Sequence, residues 1–356
     1  MPGRADSFAF AVSFVRALKS KLLTSSNLDM ILKSKDEVDA IRVLSDTIYA
    51  PYVAKFIGKP FDIKQFEDAI QESYHNDYAR VVRATASATA RDALTLIHRK
   101  HELNCLKMIF RCVMEGVPSE QAKDLITPMG EYTYDHSLEL LKIKDPGMIA
   151  EDIKDRKARR LVLDSLPECK KLGSTIPLEA SIDKYYYTSI WNVTQQLPRS
   201  DRAPVENILG IEIDSANLDI LIRGKEAKIP ASHLERFILP ISYRLASEFE
   251  QAMNAPTAGD ALRILSSGFY SVALQRAVET VKSVGSLFPV EVAMKRYLAS
   301  ENLSVFTGYP FHAGTLLAYL NLKLYQTQDV RGVVLGKRDG MTADKIRAFL
   351  ITYGLI

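Results

Sequence analysis

Apolar residues stand at i, i+3 and i+4 in Leu106, Ile109 and Phe110, and the same triplet returns as Leu218, Leu221 and Ile222 and as Val330, Val333 and Val334. Each triplet is the stripe of an amphipathic helix, and each lies 112 positions after the one before it. A second pattern keeps the same register: Phe66-Glu67-Asp68-Ala69-Ile70, Leu178-Glu179-Ala180-Ser181-Ile182 and Val290-Glu291-Val292-Ala293-Met294, again 112 apart. Beyond the stripes come Val117-Pro118, Ile229-Pro230 and Met341-Thr342, with Gly116 and Gly340 just ahead of two of them. Glycine after a helical stripe supplies a left-handed C-cap, and Pro or Thr opens the next helix. One matching column would be chance; this many in fixed register is a repeat. Solenoid repeats run ~20–50 residues, whereas a period of 112 is the length of a small domain.

The patterning predicts helices over 11–23, 38–44, 66–83, 90–114, 178–196, 214–222, 261–265, 270–284, 290–299, 312–334 and 343–350, with another after Pro230. Ile211-Glu212-Ile213 is too isolated to found a sheet. The fold class expected is all-α, in three tandem pseudo-repeats that form three lobes. With the last repeat ending at Ile356, the borders give repeats 1–132, 133–244 and 245–356. Packed lobes are expected to be shifted from these cuts wherever an end helix docks on its neighbour. Exposed connectors are expected at 198–204 and 254–260, both rich in turn residues.

Composition narrows the function classes. A formal charge of +3 over 356 residues lacks the basic excess of a nucleic-acid binder. The one basic run, Lys154 to Arg160, reads as a solvated helix face. Cys105, Cys112 and Cys169 have no paired spacing, which suits a reducing compartment. Cys105 and Cys112 share a helix face and are expected to pack as small hydrophobes. Phe8 to Val12 resembles the apolar part of a signal peptide, but Val15, Leu18 and Leu22 continue it as an amphipathic helix. Any membrane association is therefore expected to be peripheral, through partners.

Candidate chemistry is sparse. His98, His101 and Glu102 could face one metal from a single helix, but Arg99 and Lys100 between them suggest an exposed charged turn. His312, at a helix start, reads as a cap. Gly224-Lys225 and Gly336-Lys337 lack the Ser or Thr and the preceding strand of a nucleotide loop; a basic residue closing a helix complements its dipole. Glu67, Glu179 and Glu291, on separate repeats, are expected at helix starts or in salt bridges between lobes rather than converging on a substrate. Tyr185-Tyr186-Tyr187 and Trp191 read as core packing, with a contact patch as the alternative. No catalytic residue, cofactor or metal is expected.

The motifs carry a family resemblance. Asp214-Ser215-Ala216-Asn217-Leu218 leads to Arg223-Gly224-Lys225; Tyr309-Pro310-Phe311 leads through Leu317-Ala318-Tyr319-Leu320 to Asp329-Val330-Arg331 and Gly336-Lys337. With Lys345 to Leu350, Arg16 to Leu23 and Leu44 to Tyr49, the chain resembles the C subunits of archaeal-type (A-type) ATP synthases, the family that includes the d subunits of V-type ATPases. Its acidic-x-x-Asn-Leu signature is intact in the second repeat. The third has Gln326 and Asp329 in its place, and the first keeps Glu102 but has Cys105 for Asn. The resemblance implies a funnel-like body about a pseudo-threefold axis. It also implies a non-catalytic rotor part on the cytoplasmic face, between the central-stalk subunits and the membrane proteolipid ring, serving proton or sodium transport and ATP synthesis. Candidate structural or interface positions are Glu67, Glu102, Glu179, Asp214, Asn217, Arg223, Lys225, Glu291, Asp329, Arg331, Lys337 and Arg347. Two other classes stay open: a helical-repeat adaptor binding another protein through a concave surface, and a metal enzyme centred on His98, His101 and Glu102.

Overall fold

The computed structural model describes residues 4–245, 247–284 and 287–356. Among the described residues every regular element is a helix, apart from one antiparallel bridge between Met129 and Tyr132. The chain opens with α1 (Arg4–Lys19), α2 (Ser25–Leu32), α3 (Glu37–Leu44), α4 (Ala50–Val53), α5 (Ile63–Ala84) and α6 (Ala88–Met114). It continues through α7 (Ser119–Leu125), α8 (Tyr134–Lys142), α9 (Pro146–Ala150), α10 (Arg156–Leu172), α11 (Ile176–Gln195) and α12 (Arg199–Glu226). The last elements are α13 (Ala231–Leu234), α14 (Ser247–Met253), α15 (Ala258–Leu265), α16 (Ser271–Val284), α17 (Phe288–Ser304), α18 (Ala313–Arg338) and α19 (Ala343–Arg347).

Three of the long helices stop in the same way. Two residues past the ends of α6, α12 and α18 stands a residue with positive φ: Gly116 at 69°, Lys228 at 55° and Gly340 at 68°. The next N–H then reaches five residues back, Val117 to Cys112, Ile229 to Gly224 and Met341 to Gly336, at 2.9, 2.9 and 2.8 Å. This closure satisfies carbonyls that the helix end would otherwise leave unpaired. Pro118, Pro230 and Thr342 then cap α7, α13 and α19, which begin at 119, 231 and 343.

Two expectations are corrected. Residues 198–204 are not a free connector: α12 starts at Arg199 and takes in Pro204, whose missing N–H costs a single bond near the helix start. The first helix ends at Lys19, ahead of the expected residue 23. In the expected 254–260 connector Asn254, Pro256 and Thr257 are exposed, Ala255 is buried, and α15 begins at Ala258.

The chain packs as two compact units, one of residues 1–94, 196–208 and 295–356, the other of 95–195 and 209–294. In the first unit, α18 is buried along most of its length, and its apolar face is completed by the chain's beginning. Leu28, Ile31 and Leu32 of α2 and Ala40, Ile41 and Leu44 of α3 share one core with Val330, Val333, Val334, Ile346 and Leu350. Ser25 N–H and hydroxyl donate to the main-chain oxygen of Ile356 at 2.8 and 2.9 Å. In the second unit, α10 lies along α11. Asp155 caps α10, while Lys154, Arg156, Lys157 and Arg160 stay exposed as the solvated face expected of that run.

Candidate functional site: buried ion pairs and loop anchors

Two of the three register glutamates are buried ion-pair centres. Glu179 sits in the first turn of α11 and accepts from Arg111 on α6 at 2.7 Å and from Arg223 on α12 at 2.7 Å. The two arginines are themselves one period apart, so this carboxylate joins the first and second sequence repeats. Burial alone would push the Glu179 carboxyl up, but Arg223 and Arg111 outweigh it and hold it well below the usual carboxylate range. Glu67 on α5 is buried and accepts from Arg331 Nε on α18 at 2.6 Å, joining the first repeat to the third. Glu291 is different: it is exposed in the first turn of α17, where a carboxylate complements the helix dipole.

The signature positions anchor loops. Asn217 accepts from Leu239 N–H at 2.7 Å and donates to the Ile241 carbonyl at 3.2 Å. One period later Asp329 accepts from Ile351 N–H at 2.6 Å and from the N–H and hydroxyl of Thr352 at 2.7 and 2.6 Å. Leu239 and Ile351 are also 112 apart, so the Asn-to-Asp change preserves the anchor. Burial pushes the Asp329 carboxyl up to about 6 in spite of its donors. Asp214 accepts from Tyr243, Arg244 and Leu245 N–H and from the Tyr270 hydroxyl at 2.7 Å. Its counterpart Gln326 instead grips both N–H and carbonyl of Leu23, at 2.9 and 3.0 Å. In the first repeat Glu102 is buried under Gly130, where an added Cβ would meet its carboxylate at 1.8 Å, and Cys105 Sγ lies 3.6 Å from Ser137 Oγ.

The basic candidates close turns. Lys225 Nζ donates to the Met253 and Ala255 carbonyls at 2.8 and 2.6 Å, and burial lowers its ammonium. Lys337 stands half-buried in the last turn of α18. Arg347 pairs with Asp344 at 2.6 Å and Asp29 at 3.5 Å. Gly224 and Gly336 have a packing cause as well as a helix-end one: a Cβ there would lie 2.1 Å from Leu234 and 2.8 Å from Ile346.

One expectation about the histidine turn is overturned. His98, Lys100 and Glu102 are buried rather than on a solvated face. Lys100 is neutralised by Glu212, one period away in sequence, and Glu102 by Arg99 at 3.0 Å with His98 at 3.5 Å. His312 caps α18 by accepting from Thr315 N–H, and Cys105 and Cys112 are buried in the manner expected of small hydrophobes. Tyr186 and Tyr187 are buried, Tyr186 donating to Asp155 at 3.1 Å.

Several polar anchors lie outside the sequence motifs. Arg296 clamps the turn after α19 through the Leu350, Arg347 and Ala348 carbonyls at 2.8, 3.2 and 3.2 Å. Lys184 does the same to Arg236; both basic residues lie five positions after a register glutamate, a signal present in the sequence. Lys323, fully buried on α18, lies 4.0 Å over the Tyr49 ring, and burial lowers its ammonium to about 8. Asp77 accepts from the buried Tyr319 hydroxyl at 2.5 Å.

These contacts define a class: an all-helical protein whose buried polar residues tie helix to helix and loop to helix. The family model described as ATP synthase (C/AC39) subunit matches residues 11–349, and the chain belongs to that family. Among its relatives is the A-type ATP synthase C subunit of Methanocaldococcus jannaschii, 21% identical over 346 residues, covering 97% of this chain and 86% of the relative. The proteins of the same name from Methanobrevibacter smithii and Methanococcoides burtonii are each 22% identical, covering 95% and 98% of this chain and 86% and 95% of theirs.

Proposed function

We propose that the chain is the non-catalytic C subunit of an A/V-type ATP synthase or ATPase, coupling the central stalk to the membrane proteolipid ring during proton or sodium transport and ATP synthesis. The observation that carries this reading is the family match along 11–349. The helix–cap–helix module recurring at 119, 231 and 343 supports it, as a rotor part built from three lobes requires repeated, rigidly closed helices. In this reading repeats 1–132, 133–244 and 245–356 form three lobes in a funnel about a pseudo-threefold axis. Torque passes through packing and buried ion pairs such as Glu179 with Arg111 and Arg223. No helix among the described residues is long and apolar enough to cross a membrane, in keeping with peripheral attachment at the cytoplasmic face through partner proteins.

The test is affinity capture of the tagged chain from detergent-extracted native membranes. Stalk subunits and proteolipid are expected to come with it, and removal of the chain is expected to leave ATP hydrolysis while abolishing ion pumping. Capture without any rotor component, or hydrolysis by the purified chain, would sink the proposal.

A further inference from the structure

The segment between α4 and α5 carries an apolar residue where its own turn asks for none. Ala54–Phe56 is a single 3-10 turn, after which Lys59 N–H donates to the Phe56 carbonyl at 3.0 Å. Ile57, at φ −59° and ψ 129°, and Gly58, at φ 77°, are the two central residues of the type II turn closed by that bond. Glycine is there for its positive φ, since a Cβ at Gly58 would meet nothing within 4 Å. The turn is rooted on both sides: Phe56 is buried in the core of the first unit, and the Phe61 ring lies 5.9 Å from that of buried Phe66. Ile57, at the tip, is left 46% exposed. The first central position of such a turn makes no demand for a large apolar side chain, and packing does not use this one.

Lysines surround the tip. Lys55 and Lys59 stand exposed on either side of Ile57, the Lys55 ammonium 5.2 Å from the centre of the Phe56 ring. Lys64 is exposed in the first turn of α5, where a positive charge opposes the helix dipole. The one acid within 54–64 is Asp62, engaged in capping α5 through Gln65 N–H at 3.1 Å. Val38 of α3 borders the same segment. Of the acids at that end of α3, Asp36 is a cap and Asp39 pairs with Arg42, while Glu37 is outnumbered by exposed Lys33 and Lys35.

We propose that residues 55–64 form a docking point for an anionic lipid bilayer. Ile57 enters the boundary between headgroups and acyl chains, and Lys55, Lys59 and Lys64 meet the phosphates. The composition favours a bilayer over a protein partner. Protein interfaces are enriched in arginine and aromatic residues and depleted in lysine. This segment has three lysines and no arginine, and both its aromatic rings pack on the core. Point charges on flexible stems around one apolar wedge suit a fluid surface of phosphates. Three lysines and one isoleucine give only about a millimolar affinity for lipid. Such a contact orients a body held by other attachments and does not anchor it. It goes beyond the proposed function and does not depend on it, because no partner protein is needed.

The test uses the purified full chain with a polarity-sensitive dye on Ile57→Cys; the native cysteines are buried and leave the label on residue 57. Vesicles are phosphatidylcholine alone, or phosphatidylcholine with about one third phosphatidylglycerol. At about 1–5 mM lipid the dye is expected to shift to the blue on the anionic vesicles only, and about 0.5 M salt is expected to reverse the shift. Lys55→Gln and Lys59→Gln are each expected to weaken partitioning about fivefold. In the unlabelled chain, Ile57→Ser is expected to weaken sedimentation with anionic vesicles by a similar factor, about fivefold. No shift, an equal shift on both kinds of vesicle, or binding that the lysine variants leave unchanged would each overturn the proposal. Binding to poly-glutamate without any shift on vesicles would overturn it too, and would assign the segment to an acidic protein.

Discussion

Tyr49 and Tyr270 stand in matching turns, each five residues after a buried leucine (Leu44 and Leu265), yet their hydroxyls have different fates. Tyr270 donates to Asp214, whereas the buried Tyr49 hydroxyl has no hydrogen-bond partner among the described residues, Gln326 at the matching position being committed to Leu23. A hydrogen bond to a charged acceptor contributes about 1.5–3 kcal/mol. Tyr270→Phe is therefore expected to cost about that much in urea unfolding, while Tyr49→Phe should be neutral or slightly stabilising; a larger loss from Tyr49→Phe would contradict the assignment. Glu179 makes a sharper demand. Replacing it with Gln leaves two arginines facing a neutral amide and should cost about 3–5 kcal/mol at neutral pH. Its carboxyl is held low in the folded state, so the unfolded chain binds the extra proton and this stabilisation is present above the ordinary glutamate range. It is lost as pH falls below about 4. Thermal midpoints of wild type and Glu179→Gln are expected to converge in acid; a gap that stays constant would refute the ion-pair account. The register glutamates were legible in the sequence, but their partners were not, since Arg111 and Arg331 are ordinary surface residues until the helices meet.

At the scale of the element, the ends of the long helices were the most readable feature, because glycine, proline and threonine act locally. Gly116 and Gly340 announced left-handed caps, and the structure places Lys228 in the same conformation without the same freedom. A side chain at positive φ is strained relative to glycine. Lys228→Gly is expected to raise stability by about 1 kcal/mol, measured as a shift in the denaturation midpoint, and a loss of stability would show that the cap is held by the lysine itself. The packing behind these caps shows why the Gly-Lys pairs are not a nucleotide loop. Gly224 faces Leu234 and Gly336 faces Ile346, while at the corresponding places of the first repeat stand Cys112 and Ala122, both buried. A small residue opposite a large one is exchanged for a pair of intermediate size, which keeps the space filled. The proline-bearing start of α12 was not legible, because the helix that follows overrides the local breaker signal.

For the whole molecule, the helical class and the period of 112 were legible because hydrophobic spacing records both. The burial of Lys100 with Glu212 and of Lys323 beside Tyr49 was not, since a charged residue in a sequence says nothing of the distant partner that lets it be buried. In the first unit α2 and α3 share their core with α18 and the residues after it. That arrangement has a bearing on the order of synthesis. Residues 25–44 leave the ribosome with an exposed apolar face, part of whose cover, residues 330–350, is made only after 285 intervening residues. Their full lodging must wait for that stretch, and in the interval they are a segment a chaperone would be called upon to shield.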